Sequence, residues 1–173
     1  MEPVIGLATV ADLDALRDIY NYYVERSTCT YMIEPETAAQ RLAWFQSHGP
    51  AHPVTVTEHD GEVIGWASLS SWSSRCGYSR TAEASVYVKH GLDRKGLGRA
   101  LLLDLIERAL LLDLIERAKT LGDHVIIGGA SADQTASLEL QYALGFERVA
   151  HFKETGYKFG KWLDVIYTQL ILT

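Results

Sequence analysis

The chain predicts an α/β fold of the α+β type, and three observations carry that expectation. Runs rich in β-branched and aromatic residues alternate with segments of helical period. Asp60-Gly61 joins two of those runs as a hairpin turn, which brings antiparallel pairing. A third run passes through a glycine turn into a strongly helical segment, so strands and helices are interleaved. At 173 residues, with 47% apolar and 22% charged residues, the chain has the ordinary composition of a globular protein, and a single domain over 1–173 is expected.

The elements follow in order. Val4 to Leu7 makes a short first strand, and Thr9 with Asp12 forms a capping-box pattern opening a helix. Leu13, Leu16, Ile19, Tyr20 and Tyr23 recur at three- and four-residue spacing, which gives that helix one apolar face. Ser27 to Thr37 lacks a helical period and contains Pro35, so it reads as a loop. Thr37, with Gln40 three residues on, caps a second helix reaching about His48, where Gly49-Pro50 stops it. Val54–Thr57 and Val63–Leu69 are the hairpin strands, Ser70–Arg80 is a loop, and Thr81–Val88 is the next strand. After the glycine turn and its helix come a strand at His124–Ile127, a helix at Thr135–Leu144 ended by Gly145, a strand at Phe146–Phe152 and a last strand at Trp162–Leu172.

One feature breaks the pattern. Residues 101–109 and 110–118 are the same nonapeptide, LLLDLIERA, in tandem, a duplication that is recent or engineered. Nine helical residues make roughly two and a half turns, so the second copy is rotated by about half a turn and its faces are exchanged. The apolar stripe of Leu102, Leu105, Ile106 and Ala109 then runs into Asp113 and Glu116. The expectation is that one copy, the first, packs on the sheet while the other is looped out or projects as added helix.

Composition excludes several classes of function. A net charge of −6 argues against a general nucleic-acid binder. Cys29 and Cys76 are too few for a disulfide framework, neither has a sequence-evident activating partner, and they and His124 and His151 lack metal-ligand spacing, so no metal is expected. The start of the chain lacks a signal-peptide pattern, and no stretch has the length of a membrane span. A soluble cytoplasmic protein without a membrane partner is expected.

The chemistry is expected between Arg80 and Ala100. Ser85-Val86-Tyr87-Val88 is strand-like, Gly96 and Gly98 mark the turn, and the helix begins by Ala100. Unpaired amides at a helix start carry partial positive charge and form a seat for phosphate. Glu83 adds a carboxylate upstream on the same strand.

These residues resemble the GCN5-related N-acetyltransferase superfamily, and within it the phosphinothricin acetyltransferase group. The likeness runs through Ile19-Tyr20-Asn21, Glu34-Pro35-Glu36-Thr37, Thr81-Ala82-Glu83 with Ser85-Val86-Tyr87-Val88, Lys95-Gly96-Leu97-Gly98, Leu144-Gly145-Phe146 and Gly156 to Asp164. It implies a central, mostly antiparallel sheet flanked by helices and splayed between its fourth and fifth strands, with acetyl-CoA as cosubstrate in the gap. The implied coenzyme contacts are Val86 and Val88 along the strand, Arg94, Lys95, Gly96, Leu97, Gly98 and Arg99 at the turn, and Gln134 and Ser137 at the last helix. Glu83 matches the general base that takes a proton from an amine, and a backbone N–H of its strand would stabilise the oxyanion. Tyr31, Arg75, Tyr78 and Arg80 match substrate contacts, an arginine fork suiting a carboxylate or phosphinate. The implied substrate is the primary amine of a small amino acid or analogue, and the implied assembly a homodimer. Asp93 and Gln134 depart from the family pattern and the helix is duplicated, which leaves two alternatives, a coenzyme-binding module without turnover and an acetyltransferase carrying an engineered helix duplication whose interest is structural. The position of a frequent general-acid tyrosine falls on Gln141, and that role does not pass to Tyr142.

Overall fold

The structure, a computed structural model, describes residues 4–92, 96–116 and 122–172. In chain order its elements are β1 (Val4–Leu7), α1 (Leu13–Arg26), α2 (Ala38–Gln46), β2 (Val54–His59), β3 (Glu62–Ser71), β4 (Thr81–Val88), α3 (Leu97–Glu116), β5 (Val125–Ser131), α4 (Thr135–Ala143), β6 (Glu147–Lys158) and β7 (Lys161–Ile171). The strands form one seven-stranded sheet in the order β1-β2-β3-β4-β5-β7-β6. Neighbours run antiparallel except β4 and β5, which are parallel.

Short-range signals act where the sequence places them. The Thr9 amide donates to Asp12 Oδ2 at 2.7 Å, opening a 3-10 turn over Val10–Asp12 that leads into α1. Thr37 and Gln40 bond each other reciprocally at 3.2 and 2.8 Å, so two amides at the start of α2 are satisfied. Asp60 and Gly61 both adopt positive φ, 50° and 78°, as the tight turn between β2 and β3 requires.

The sheet has two covered faces. Trp66, Ser68 and Ser70 of β3 stand opposite Tyr87, Ser85 and Glu83 of β4, so all six point to one side. Trp66 packs there with Leu13, Leu16, Ile19, Tyr20 and Val24 of α1. The alternate residues Ala67, Leu69 and Ala82 face the other way, onto Leu101, Leu102 and Ile106 of α3.

The helix α3 is continuous through the junction of the two nonapeptides, so residues 110–116 continue the helix rather than loop out. Its described buried side chains, Leu97, Leu101, Leu102 and Ile106, lie in the turn and the first copy. Residues 117–121 lie outside the described residues.

Two strands, β5 and β6, run four or more residues past their expected ends. The expected strand ends at Ile127, yet pairing with β7 continues through Gly128-Gly129 to Ser131↔Val165. Gly128 has a packing reason: a Cβ there would stand 2.5 Å from Gln141 Oε1 and 2.7 Å from Thr168 Oγ1, so its absence lets α4 sit close on the sheet. The expected strand ending at Phe152 extends to Lys158, because β7 supplies partners on both sides of an irregularity between Phe152 and Gly156.

Candidate active site

The parallel ladder between β4 and β5 covers three pairs, Thr81↔Val125, Ala82↔Ile126 and Glu83↔Ile127. From there the strands part, since β3 holds β4 as far as Gly65↔Val88 while β7 holds β5 as far as Ser131. A wedge opens between them, where the two strands no longer pair with each other and backbone groups can meet a ligand. This is the splay between the fourth and fifth strands.

At this sheet face α3 begins. Gly96 takes φ 81°, a left-handed conformation that favours glycine, and the first i→i−4 bond of the turn is Ala100 N–H to the Gly96 carbonyl at 3.0 Å. The amides of Leu97, Gly98 and Arg99 therefore precede the helical ladder and have the polarity to receive an anion. Gly98 lies against the wedge, where a Cβ would be 3.9 Å from both Val86 and Val88 side chains. This arrangement fits the pyrophosphate and pantetheine of acetyl-CoA. Asp93, Arg94 and Lys95 lie outside the described residues. The Val88 carbonyl accepts from the Tyr23 hydroxyl at 2.6 Å, which uses one of its two lone pairs on the expected coenzyme edge.

Glu83 occupies the last paired position before the wedge. It is half-buried and makes no hydrogen bond among the described residues, and burial pushes its carboxyl above the usual carboxylate range. Its Oε1 lies over Gly129 of β5, 3.7 Å from where a Cβ would be, and Tyr167 of β7 covers the same glycine at 3.1 Å. The Tyr167 phenol is pushed up by burial, then by the Glu83 charge and by Tyr31, so the three side chains converge. Trp72 and Phe152 stand edge-on to the Tyr167 ring at 5.5 and 5.8 Å.

Trp72, Phe152 and Tyr167 were not marked by the sequence. Tyr167 is one residue in an alternating strand, and the β5–β7 register Gly129↔Tyr167 is what brings it beside the carboxylate.

Tyr31 is placed by a buried lysine. Lys158 Nζ donates to the Ser27 and Thr30 carbonyls at 2.7 and 2.8 Å, which pins the loop after α1 to the end of β6. The Tyr31 ring then lies against Gly156, where a Cβ would fall 2.2 Å from its Cε1. Arg75 and Tyr78 flank and form a short 3-10 turn, closed by the Tyr78 amide donating to the Arg75 carbonyl at 2.9 Å, and both side chains are exposed. Arg80 is placed differently: its Nε donates to the Gly122 carbonyl at 2.6 Å, tying the start of β4 to the approach to β5.

The last helix is also engaged. Gln134 donates to Thr28 Oγ1 at 2.7 Å, and Ser137 Oγ accepts from Gln141 Nε2 at 3.3 Å. Gln141 accepts from Thr168 Oγ1 at 2.5 Å, a buried structural bond, while Tyr142 is exposed. Cys29 is pushed up by burial, which keeps it a thiol rather than a nucleophilic thiolate.

Beneath the Glu83 face is a cavity of about 170 Å³ lined by Ser68, Ser70, Ser85, Trp66, Tyr87 and Arg41 among others. Arg41 is 2% exposed, pairs with Glu36 at 2.7 Å, and lies over the Trp44, Tyr20 and Trp66 rings at 4.5 to 5.0 Å. The cage stabilises a cation that burial alone would not tolerate.

The splayed α/β sheet agrees with the comparisons. Residues 16–146 match the acetyltransferase (GNAT) family. The chain belongs to that family. It is 38% identical to the L-amino acid N-acyltransferase MnaT of Escherichia coli (strain K12), over 97% of this chain and 93% of that protein. It is 37% identical to the L-methionine sulfoximine/L-methionine sulfone acetyltransferase of Salmonella typhimurium, over 97% and 94%. The solved phosphinothricin acetyltransferase of Sinorhizobium meliloti, in complex with acetyl-CoA, superposes with TM-score 0.90 at 32% identity, covering 99% of this chain and 89% of that one. The GNAT chain described here is thus an N-acetyltransferase with acetyl-CoA as donor.

Proposed function

We propose that the protein transfers acetyl directly from acetyl-CoA to the primary amine of a small amino acid or analogue of the methionine sulfoximine, methionine sulfone or phosphinothricin type. Residues 1–173 act in this reading as one acetyltransferase domain. The observation that carries it is Glu83, a half-buried carboxylate without a hydrogen-bond partner among the described residues, at the fork where β4 and β5 separate.

An amine at neutral pH is largely protonated and must lose a proton before attack. Glu83 takes that proton, and its raised affinity for protons brings it closer to the operating pH than an exposed carboxylate. The thioester supplies an activated acetyl group and a thiolate that leaves readily. Leu97, Gly98 and Arg99 amides, with Arg94 and Lys95, hold the phosphates, and Val86 lines the pantetheine path. Tyr31, Tyr167 and Trp72 wall the amine site and exclude water, while Arg75 and Tyr78 on the rim meet the carboxylate or phosphinate.

The exposed Tyr157, Phe159 and Trp162 around the β6–β7 turn support a homodimer, for which sedimentation is the measurement. Among the described residues no helix is long and apolar enough to cross a membrane. This reading places the reaction in the cytoplasm.

The test is thiol release from acetyl-CoA with methionine sulfoximine, methionine sulfone and phosphinothricin, run beside Glu83→Gln. Turnover of at least one, lowered about 100-fold or more in the variant, is expected. Turnover of polyamines or aminoglycosides alone would redirect the substrate class, and tight acetyl-CoA binding without thiol release would make the chain a binding module.

A further inference from the structure

Acetylation of an ammonium substrate releases one proton per turnover. Of the three protons on the nitrogen, one stays on the amide, one goes to the thiol and the third must reach solvent. Glu83 receives its proton beneath an aromatic wall, so the carboxyl needs a way to be cleared. We propose that Ser70 and His48 carry this proton from Glu83 to solvent; the inference rests on Glu83 being the base.

Ser70 is directly opposite Glu83 in the antiparallel β3–β4 ladder, on the same face. Side chains so placed start about 5 Å apart at Cβ, within reach directly or through one water. Ser70 Oγ is 3.0 Å from His48 Nε2, and His48 Nδ1 is 2.8 Å from the Trp44 carbonyl. A carbonyl can only accept, so Nδ1 carries the hydrogen and Nε2 presents its lone pair to the Ser70 hydroxyl. Ser70 therefore donates to His48 and keeps its own lone pairs for a donor on the Glu83 side. Each bond has the polarity that outward proton movement needs.

His48 also joins two cavities. Ser70 lines the inner one of about 170 Å³, and His48 itself lines an outer one of about 410 Å³ with Pro50, His52 and Arg108. The exposed Ser47 hydroxyl lies 3.4 Å from Nδ1 on the outer side. In the step, protonated Glu83 gives its proton to Ser70 Oγ as the Ser70 proton moves to His48 Nε2. The imidazolium loses its Nδ1 proton at the Ser47 edge to solvent, and exchange through water, which takes the proton from Nε2 and returns one to Nδ1, restores the starting tautomer. Glu83 is left ionised.

The groups around His48 favour a brief stay. Burial, His52 on the following loop and Arg41 on α2 all hold the imidazole below its ordinary range, while the Trp44 carbonyl opposes them. Arg108 of α3, paired with Asp104 at 2.7 Å, lies on the outer cavity wall, and Asp123 lies 4.0 Å from His52.

The experiment measures thiol release in weakly buffered solution for the wild type, His48→Ala, Ser70→Ala and Glu83→Gln, with and without added imidazole. Both relay variants are expected to lose about 10-fold in kcat at neutral pH with the KM for acetyl-CoA unchanged, and imidazole is expected to restore His48→Ala but not Glu83→Gln. Ser70→Ala changes little volume and guards against misfolding of the histidine variant. Wild-type kcat in both relay variants beside an inactive Glu83→Gln would overturn the relay alone. A His48→Ala loss that imidazole leaves untouched, beside an unaffected Ser70→Ala, would also overturn it. An active Glu83→Gln would remove the base and the relay together.

Discussion

Glu83 faces Ile127 across the parallel ladder of the sheet, and the ladder ends at that pair. One strand thus anchors the carboxylate in the core while its next residues line an opening. The proposed base is rigid because its backbone is paired on both sides, and it is reachable because the following residues are paired on one. Geometry of this kind fixes a reacting group without a dedicated hydrogen bond.

The raised proton affinity of Glu83 has a signed consequence. Its folded-state pKa lies above the unfolded value, so its contribution to stability is full below the ordinary carboxylate range and is lost as pH rises through the folded value. Glu83→Gln should therefore melt with the wild type near about pH 4 and above it at neutral pH, while losing activity. Thermal melts of both proteins across pH check this, and equal melting temperatures throughout would contradict it.

Tyr31 depends on a bare backbone at Gly156, where a Cβ would fall 2.2 Å from its ring. Gly156→Ala should displace the ring and raise the amine KM by about 10-fold, equivalent to about 1.4 kcal/mol, with acetyl-CoA KM nearly unchanged. Steady-state kinetics with each substrate varied in turn separates the two.

Arg41 and Glu36 form a buried pair at 2.7 Å, with side-chain exposures of 2% and 15%. Arg41→Met strands the carboxylate and should cost about 3–5 kcal/mol, and adding Glu36→Gln should recover much of it. Denaturant unfolding of the single and double variants measures the difference.

Deleting Leu110 to Ala118 gives the same chain as deleting the first copy, since the nonapeptides are identical. The glycine turn and the amides of Leu97 to Arg99 precede both copies, so acetyl-CoA affinity should change by less than about 2-fold. Calorimetric titration with acetyl-CoA gives the answer.

What the sequence determined by itself was local. Thr9 with Asp12, Thr37 with Gln40, and Asp60-Gly61 act within a few residues, and each shapes the backbone where it stands. The strand bearing Glu83 and the turn at Gly96 were legible for the same reason, being one continuous strand, turn and helix. Tertiary structure decided what pairing at a distance decides. The β7 strand extends β5 through Gly128-Gly129 and β6 to Lys158, and its register sets Tyr167 beside Glu83. Arg80 is drawn to Gly122, and His48 reaches Ser70 across 22 residues of chain. A turn or cap is stabilised by atoms already nearby in the chain, whereas a strand's length and a side chain's neighbours are stabilised by partners that only the folded sheet brings within bonding distance.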